Sequence, residues 1–214
     1  MIKIDKLELG PIRVNCYVVR EEKSDTCVVI DPADAEPIRR FLEKNALVAT
    51  HILITHGHFD HILGVSELKR LTGASVCIHE KDARALHDDG ENLGDICGYS
   101  VPPSEADRLL FGGEVIEAAG LRFEALFTPG HSPGGVCYVE RDERAIFSGD
   151  TLFFLSVGRM DFPGSDGEEL YRSIRDGLFA LPTDYKVYPG HMRETTLEFE
   201  RKHNPFMLRD RGRI

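Results

Sequence analysis

Between Thr55 and His61 the chain reads Thr55-His56-Gly57-His58-Phe59-Asp60-His61, which sets three imidazoles and one carboxylate in six consecutive positions. Neutral imidazole nitrogen and carboxylate oxygen are ordinary ligands of divalent transition metals. Crowded on one short loop without a cation or water between them, such groups would repel or be costly to desolvate. A blander alternative makes Asp60 the cap of a helix starting near His61, but it leaves the ligand density unexplained. The pattern predicts a metal site.

Three more turns repeat the theme. Thr128-Pro129-Gly130-His131 follows an apolar run ending at Phe127, Phe147-Ser148-Gly149-Asp150 presents a carboxylate, and Tyr188-Pro189-Gly190-His191 presents a histidine. Glycine and proline fix tight turns there and let the backbone approach closely. Together, His56, His58, His61, His131 and His191 with Asp60 and Asp150 are too many ligands for one tetrahedral centre. They suit two cations sharing a carboxylate and a water. His51, His79, His87 and His203 lack the turn context and are expected to be structural, with His79 the nearest exception.

The elements that must position these groups are legible as alternating strands and helices. Strands are expected over 2–9, 14–19, 26–30 and the apolar run 47–54, with a helix over 34–45 and another from about His61 to Gly73. A short strand over 75–78 and a short helix over 80–86 follow. Strand pairs are predicted over 114–127 and 136–147, a helix over 167–181, a strand over 186–188 and a terminal helix over 194–203. Asp31, at a strand end before Pro32, can orient a ligand histidine from behind or simply start a turn. Residues 87–113 are polar and punctuated, the pattern of a lid or substrate-facing insertion, or of a mobile loop. The layout implies an α/β fold with two packed sheets and helices outside.

Composition narrows the function classes. At 214 residues one domain over 1–214 is expected. A formal charge of -10 with no basic run argues against a nucleic-acid partner. Five scattered cysteines form no C-x-x-C pair, so a disulfide framework is not expected. The N-terminus, Met1-Ile2-Lys3-Ile4-Asp5, has charges where a signal peptide needs an apolar stretch, and no apolar run approaches the ~20 residues of a membrane span. The expectation is a cytoplasmic protein with no membrane partner; nothing in the sequence indicates an oligomeric state.

His56-x-His58-x-Asp60-His61, followed in order by His131, Asp150 and His191, resembles the signature of the metallo-β-lactamase fold superfamily over essentially the whole chain. That resemblance implies a four-layer αβ/βα sandwich, two mixed sheets with helices outside. It implies that His56, His58 and His131 hold one cation, that Asp60, His61 and His191 hold a second, and that Asp150 bridges. Aspartate at position 150 is similar to the glyoxalase II (hydroxyacylglutathione hydrolase) branch, whereas true β-lactamases typically place cysteine there. Gly158-Arg159-Met160-Asp161-Phe162-Pro163-Gly164 is similar to a segment of short bacterial glyoxalase II-like hydrolases. The C-terminal helical domain that supplies part of the glutathione site in longer relatives has no counterpart, so the thiol stays open.

The implied reaction is thioester hydrolysis on a small acyl-thiol such as S-lactoylglutathione. Two divalent cations, zinc with iron or manganese as alternatives, would lower the pKa of a bridging water, and the hydroxide would attack the carbonyl. Asp60 would take up a proton, and Arg159 would pair with a substrate carboxylate unless it forms a surface pair with Asp161. Persulfide dioxygenases, which use one iron, share the metal loops and a Gly-Arg-x-Asp-Phe segment and form the alternative.

Overall fold

A computed structural model of the protein describes residues 1–208. The first sheet holds β1 (Ile2–Leu9), β2 (Val14–Glu21), β3 (Thr26–Ile30), β4 (Val48–Leu53), β5 (Ser75–His79) and β6 (Arg108–Leu110) in that order, antiparallel as far as β3 and parallel from β3 on. The second sheet is built from β7 (Val115–Ala118), β8 (Leu121–Phe127), β9 (Val136–Glu140) and β10 (Ala145–Gly149), a meander. A small pair, β11 (Leu152–Phe153) and β12 (Ser156–Val157), intervenes. Then β13 (Lys186–Pro189) joins β10 in parallel, and β14 (Thr195–Thr196) closes the edge.

Side-chain alternation turns these two mixed sheets into four layers. On β2, Cys16 and Val18 face helices α1 (Ala35–Lys44), α2 (Phe59–Ile62) and α3 (Val65–Thr72), while Tyr17 and Val19 face the other sheet. On β9, Val136 and Tyr138 meet them across the inter-sheet core, while Cys137 and Val139 turn to a third core. That core is closed by the helical run Gly167–Leu178 and by the C-terminal helices. Strands buried on both faces read as continuous apolar runs, and β9 and β10 are buried at every position.

Several elements differ from the sequence expectation. The helix predicted from His61 to Gly73 breaks into α2 and α3, because Gly64 packs onto the β3–α1 turn. Its N–H donates to Pro32 O at 2.8 Å, and a Cβ there would sit 2.6 Å from that oxygen. Residues 87–113 are not a bare loop: they contain α4 (Gly94–Cys97) and the edge strand β6. The helix predicted over 167–181 is α5 (Gly167–Arg172) continued by a π-helical stretch, Ser173–Leu178, where Phe179 N–H reaches back five residues to Ile174 O. The last helix begins only at Leu197, as α6 (Leu197–His203), because the Thr196 hydroxyl caps it by accepting from Phe199 N–H, and α7 (Pro205–Leu208) follows. Cys16, Cys27, Cys77 and Cys137 are buried as free thiols and Cys97 is exposed. No helix among the described residues is long and apolar enough to cross a membrane.

Candidate metal centre

Every predicted ligand emerges from the carboxyl end of a strand, at one end of the sandwich. The ligand loop follows β4 and runs into α2, so that Asp60 and His61 lie in that helix's first turn. His131 follows β8, Asp150 follows β10, and His191 follows β13. Because β10 and β13 are parallel neighbours, and Gly190 N–H donates to Gly149 O at 2.8 Å, the Asp150 and His191 turns lie side by side. His56, His58, Asp60, His61 and His131 are all buried below one-tenth exposure, while Asp150 and His191 are half-buried.

Hydrogen bonds decide which ring nitrogen of three histidines is free. Asp31, at the end of β3, accepts from Thr55 N–H (2.8 Å), Thr55 Oγ1 (2.7 Å) and His61 Nδ1 (2.9 Å). A carboxylate only accepts, so His61 Nδ1 carries a proton, and in the neutral ring Nε2 is the nitrogen with the lone pair. Thr55 Oγ1, which donates its hydrogen bond to Asp31, accepts from His56 Nδ1 at 3.1 Å. The carbonyl of Arg159 accepts from His131 Nδ1 at 2.8 Å. In the neutral rings all three Nε2 atoms are therefore the lone-pair donors, and all three are buried with no hydrogen-bond partner, as is Asp150 Oδ1. Outer partners that fix a ligand histidine's tautomer in this way are the usual support of a metal site.

The free atoms converge. His56, His58 and His131 form one group whose ligand atoms lie within 4.8 Å of one another, and Asp60, His61 and His191 form another. Asp150 lies between them: Oδ1 is 3.4 Å from His61 Nε2, and Oδ2 is 3.6 Å from both His131 Nε2 and His191 Nε2. Asp60 Oδ2 is 3.3 Å from His191 Nε2 and 3.6 Å from His61 Nε2. Ligand atoms about 2 Å from a tetrahedral ion stand roughly 3.3 Å apart, so the donor set fits cations.

Electrostatics divides the cluster along the same line. Burial, reinforced by the neighbouring imidazoles, drives His56 well below its ordinary pKa; burial and His131 drive His58 down to about 3. Burial also disfavours charge on His61 and His191. There Asp60 and Asp150 outweigh it and draw both rings toward the protonated form. Burial would raise Asp60 and Asp150, but facing histidines hold both carboxyls below the usual range. One group offers neutral nitrogens and the other asks for positive charge, which divalent cations satisfy in both.

The profile described as "Metallo-beta-lactamase superfamily" matches residues 9–191. The chain belongs to this superfamily. Among its relatives, the probable metallo-hydrolase YqgX of Bacillus subtilis (strain 168) is 35% identical over 208 residues, 96% of this chain and 98% of the relative. The hydroxyacylglutathione hydrolase GloC of Haemophilus influenzae is 30% identical, with 96% and 98% covered. Among solved structures, the BLEG-1 B3 metallo-beta-lactamase superposes with a TM-score of 0.90 at 36% identity (97% and 99% covered). TTHA1623 in a di-iron-bound form gives 0.84 at 36% (94% and 99%). ETHE1 from Myxococcus xanthus gives 0.78 at 29% (95% and 83%).

In this superfamily member one residue of the site carries no sequence signal. Asp82, in the 3-10 turn Glu80–Leu86, is 5% exposed and joins the two loops that present His58 and His131. It accepts from Gly57 N–H (2.9 Å), Ser132 Oγ (2.7 Å) and Gly134 N–H (2.5 Å). Burial pushes its carboxyl up, and those donors hold part of the rise back. No spacing rule ties a residue after β5 to a loop fifty positions later, so only the fold reveals it. Gly158 likewise admits no side chain: a Cβ there would overlap the Asp150 carbonyl and come 2.8 Å from His131 Nδ1. The Arg159 side chain, for which a substrate carboxylate was one expectation, grips Asp161 with Nε and Nη2 at 2.9 and 2.8 Å and stacks 4.1 Å over Phe162. His79 stacks on Phe127 and accepts from Lys81 N–H at 3.3 Å; it joins none of the ligand groups.

Proposed function

We propose that the protein is a binuclear metal-dependent hydrolase of the glyoxalase II-like type that cleaves an acyl thioester. His56, His58 and His131 would hold one divalent cation, Asp60, His61 and His191 would hold the other, and Asp150 lies where both could share it. The observation that carries this reading is the placement of the Asp150 carboxylate, one oxygen toward His61 and the other toward His131 and His191. A carboxylate placed so serves two cations, and a lone cation would need fewer of these ligands. The likeness to GloC supports the thioester assignment, and the di-iron form of TTHA1623 supports two metals. Zinc is the proposed metal, with iron or manganese also suited to imidazole and carboxylate.

When bound, the cations supply Lewis acidity that polarises a carbonyl and makes water acidic near neutral pH. The chain's own residues do the rest. Asp31, Thr55 and the Arg159 carbonyl hold His61, His56 and His131 in the ligating tautomer. Asp60, whose carboxyl is held below the usual range by His61 and His191 despite burial, would receive a proton from the attacking water. Water adds across the C–S bond: a C–O bond forms, the C–S bond breaks, and an acid and a thiol leave. A thiolate departs readily near neutral pH, so no strong general acid is required.

Elemental analysis of the purified protein with a panel of thioesters tests this. About two metals per chain and turnover that disappears in His58→Ala and Asp150→Ala are expected. Full activity in Asp150→Ala sinks the binuclear mechanism. One iron per chain, with oxygen uptake on glutathione persulfide, replaces it with the mononuclear dioxygenase reading that Gly158–Phe162 and the likeness to ETHE1 favour. Residence in the cytoplasm belongs to the same proposal, checked by fractionation of cells expressing the protein.

A further inference from the structure

Beyond the ligands, the cleft is lined mostly by hydrocarbon, with Ser156, Cys97 and Arg159 as its polar members. A cavity of about 400 Å³ takes in five of the seven candidate ligands and continues along Ile12, Leu93, Phe153, Val157, Phe162 and Met192. That volume falls in the range of small-molecule sites. Ile12 and Met192, at its margin, are 49% and 58% exposed, so large apolar side chains stand in water beside the metal ligands. Met192 does so from a left-handed backbone, φ 68, which residues other than glycine seldom adopt. Its loop, directly after His191, is held in that shape by Asn15, whose Nδ2 donates to the carbonyls of Pro189 and Met192 at 2.9 Å each.

Among the described residues, the arginines in or beside the lining are already engaged. Arg159, in the lining, grips Asp161 and lies over Phe162. Arg13, next to Ile12, holds Glu8 through Nε and Nη2. Arg193, next to Met192, stacks 3.6 Å over Phe154. A short polyhydroxylated or charged acyl group would set its polar atoms against Leu93, Phe153 and Phe162, which offer no hydrogen bonds. An alkyl chain would cover them, and Ile12 and Met192 as well, with a gain proportional to the area removed from water.

We propose, resting on the thioester-hydrolase reading, that the substrate's acyl group is an aliphatic chain of several carbons. Its carbonyl lies at the metal ligands and its chain lies along Leu93, Phe153, Val157 and Phe162 toward the Ile12–Met192 margin. The polar hydroxyacyl group of lactoyl thioesters is a poorer match to these walls.

Binding of the acid that such a hydrolysis releases tests this without relying on turnover. Isothermal titration of the metal-replete protein with acetate, butyrate, hexanoate and octanoate reads chain length directly, and lactate is compared with them. Each methylene buried is expected to tighten binding about fourfold, so hexanoate binds roughly a hundredfold or more tighter than acetate. Phe162→Ala and Met192→Gln, with metal content and circular dichroism as folding checks, flatten the series. Affinity that is level from acetate to octanoate, or lactate binding tighter than hexanoate, overturns the inference. A steep series in a protein that hydrolyses no acyl thioester leaves the apolar acyl site standing and removes the hydrolase reading. Turnover of lactoyl thioesters with a level series does the reverse.

Discussion

Asp31 shows how a residue that touches no ligand atom of a cation can still govern the site. It occupies a left-handed backbone position, φ 51, which aspartate and asparagine tolerate better than most residues. From there it reaches His61 directly and His56 through Thr55. Asp31→Asn keeps shape and backbone but sets an amide donor against either His61 Nδ1–H or Thr55 N–H, and it removes the negative charge behind His61. Metal affinity is expected to fall about ten- to a hundredfold, read by competition with a chromophoric chelator, while the fold persists. His58→Ala and Asp150→Ala should lose hydrolysis altogether, and His203→Ala, whose exposed ring bonds to and stacks on Phe199 one turn back in its own helix, should behave as wild type. The seven ligand candidates were legible because each pairs a ligating residue type with a turn after a strand. The tautomers were not, because they depend on the Arg159 carbonyl and on Thr55 turning toward Asp31.

At the level of elements, two sheets deliver their strand ends to one place and small connections lock the loops. Asp82→Ala removes the single acceptor shared by the His58 and His131 loops and leaves the buried amides of Gly57 and Gly134 without partners. At ~1–3 kcal/mol per stranded donor, about 3 kcal/mol of stability is at stake. For a chain this size that is a melting shift of roughly 6–12 °C, measurable by calorimetry. Gly158→Ala is expected to damage the site more than the fold, because the new methyl meets the Asp150 carbonyl and the His131 ring; metal content per chain reads that difference. Strands were legible from alternation and apolar runs, since that pattern is what burial in layers requires. The breaks were not. The division of α2 from α3 at Gly64 depends on Pro32, thirty-two residues away, and β6 depends on pairing with β5. Residues 87–113 looked like loop because their order comes from tertiary bonds, such as Asn92 O accepting from Phe59 N–H at 2.8 Å.

Across the whole molecule the site is also a clasp. His56, His58, Asp60 and His61 come from the half built on the first sheet; His131, Asp150 and His191 come from the half built on the second. A few protein bonds already span the halves at this end: Val136 N–H to Thr55 O (2.8 Å), Tyr138 Oη to Ile54 O (2.7 Å), and Asn15 and Tyr17 to Pro189 O (2.9 and 2.8 Å). Cations bound to ligands from both halves would add cross-links that unfolding must break. A ligand that binds only the folded state, present at a thousand times its dissociation constant, stabilises by about 4 kcal/mol. Stripping the metals with a chelator should therefore lower the melting temperature by roughly 8–16 °C, and restoring zinc should recover it. In Asp150→Ala the carboxylate between the two ligand groups is gone, so zinc should restore only part of that shift. An identical melting temperature with and without chelator, in protein shown to carry metal beforehand, would mean that the inter-sheet core of Tyr17, Phe123, Tyr138 and Phe147 and these hydrogen bonds hold the two halves without help from metal.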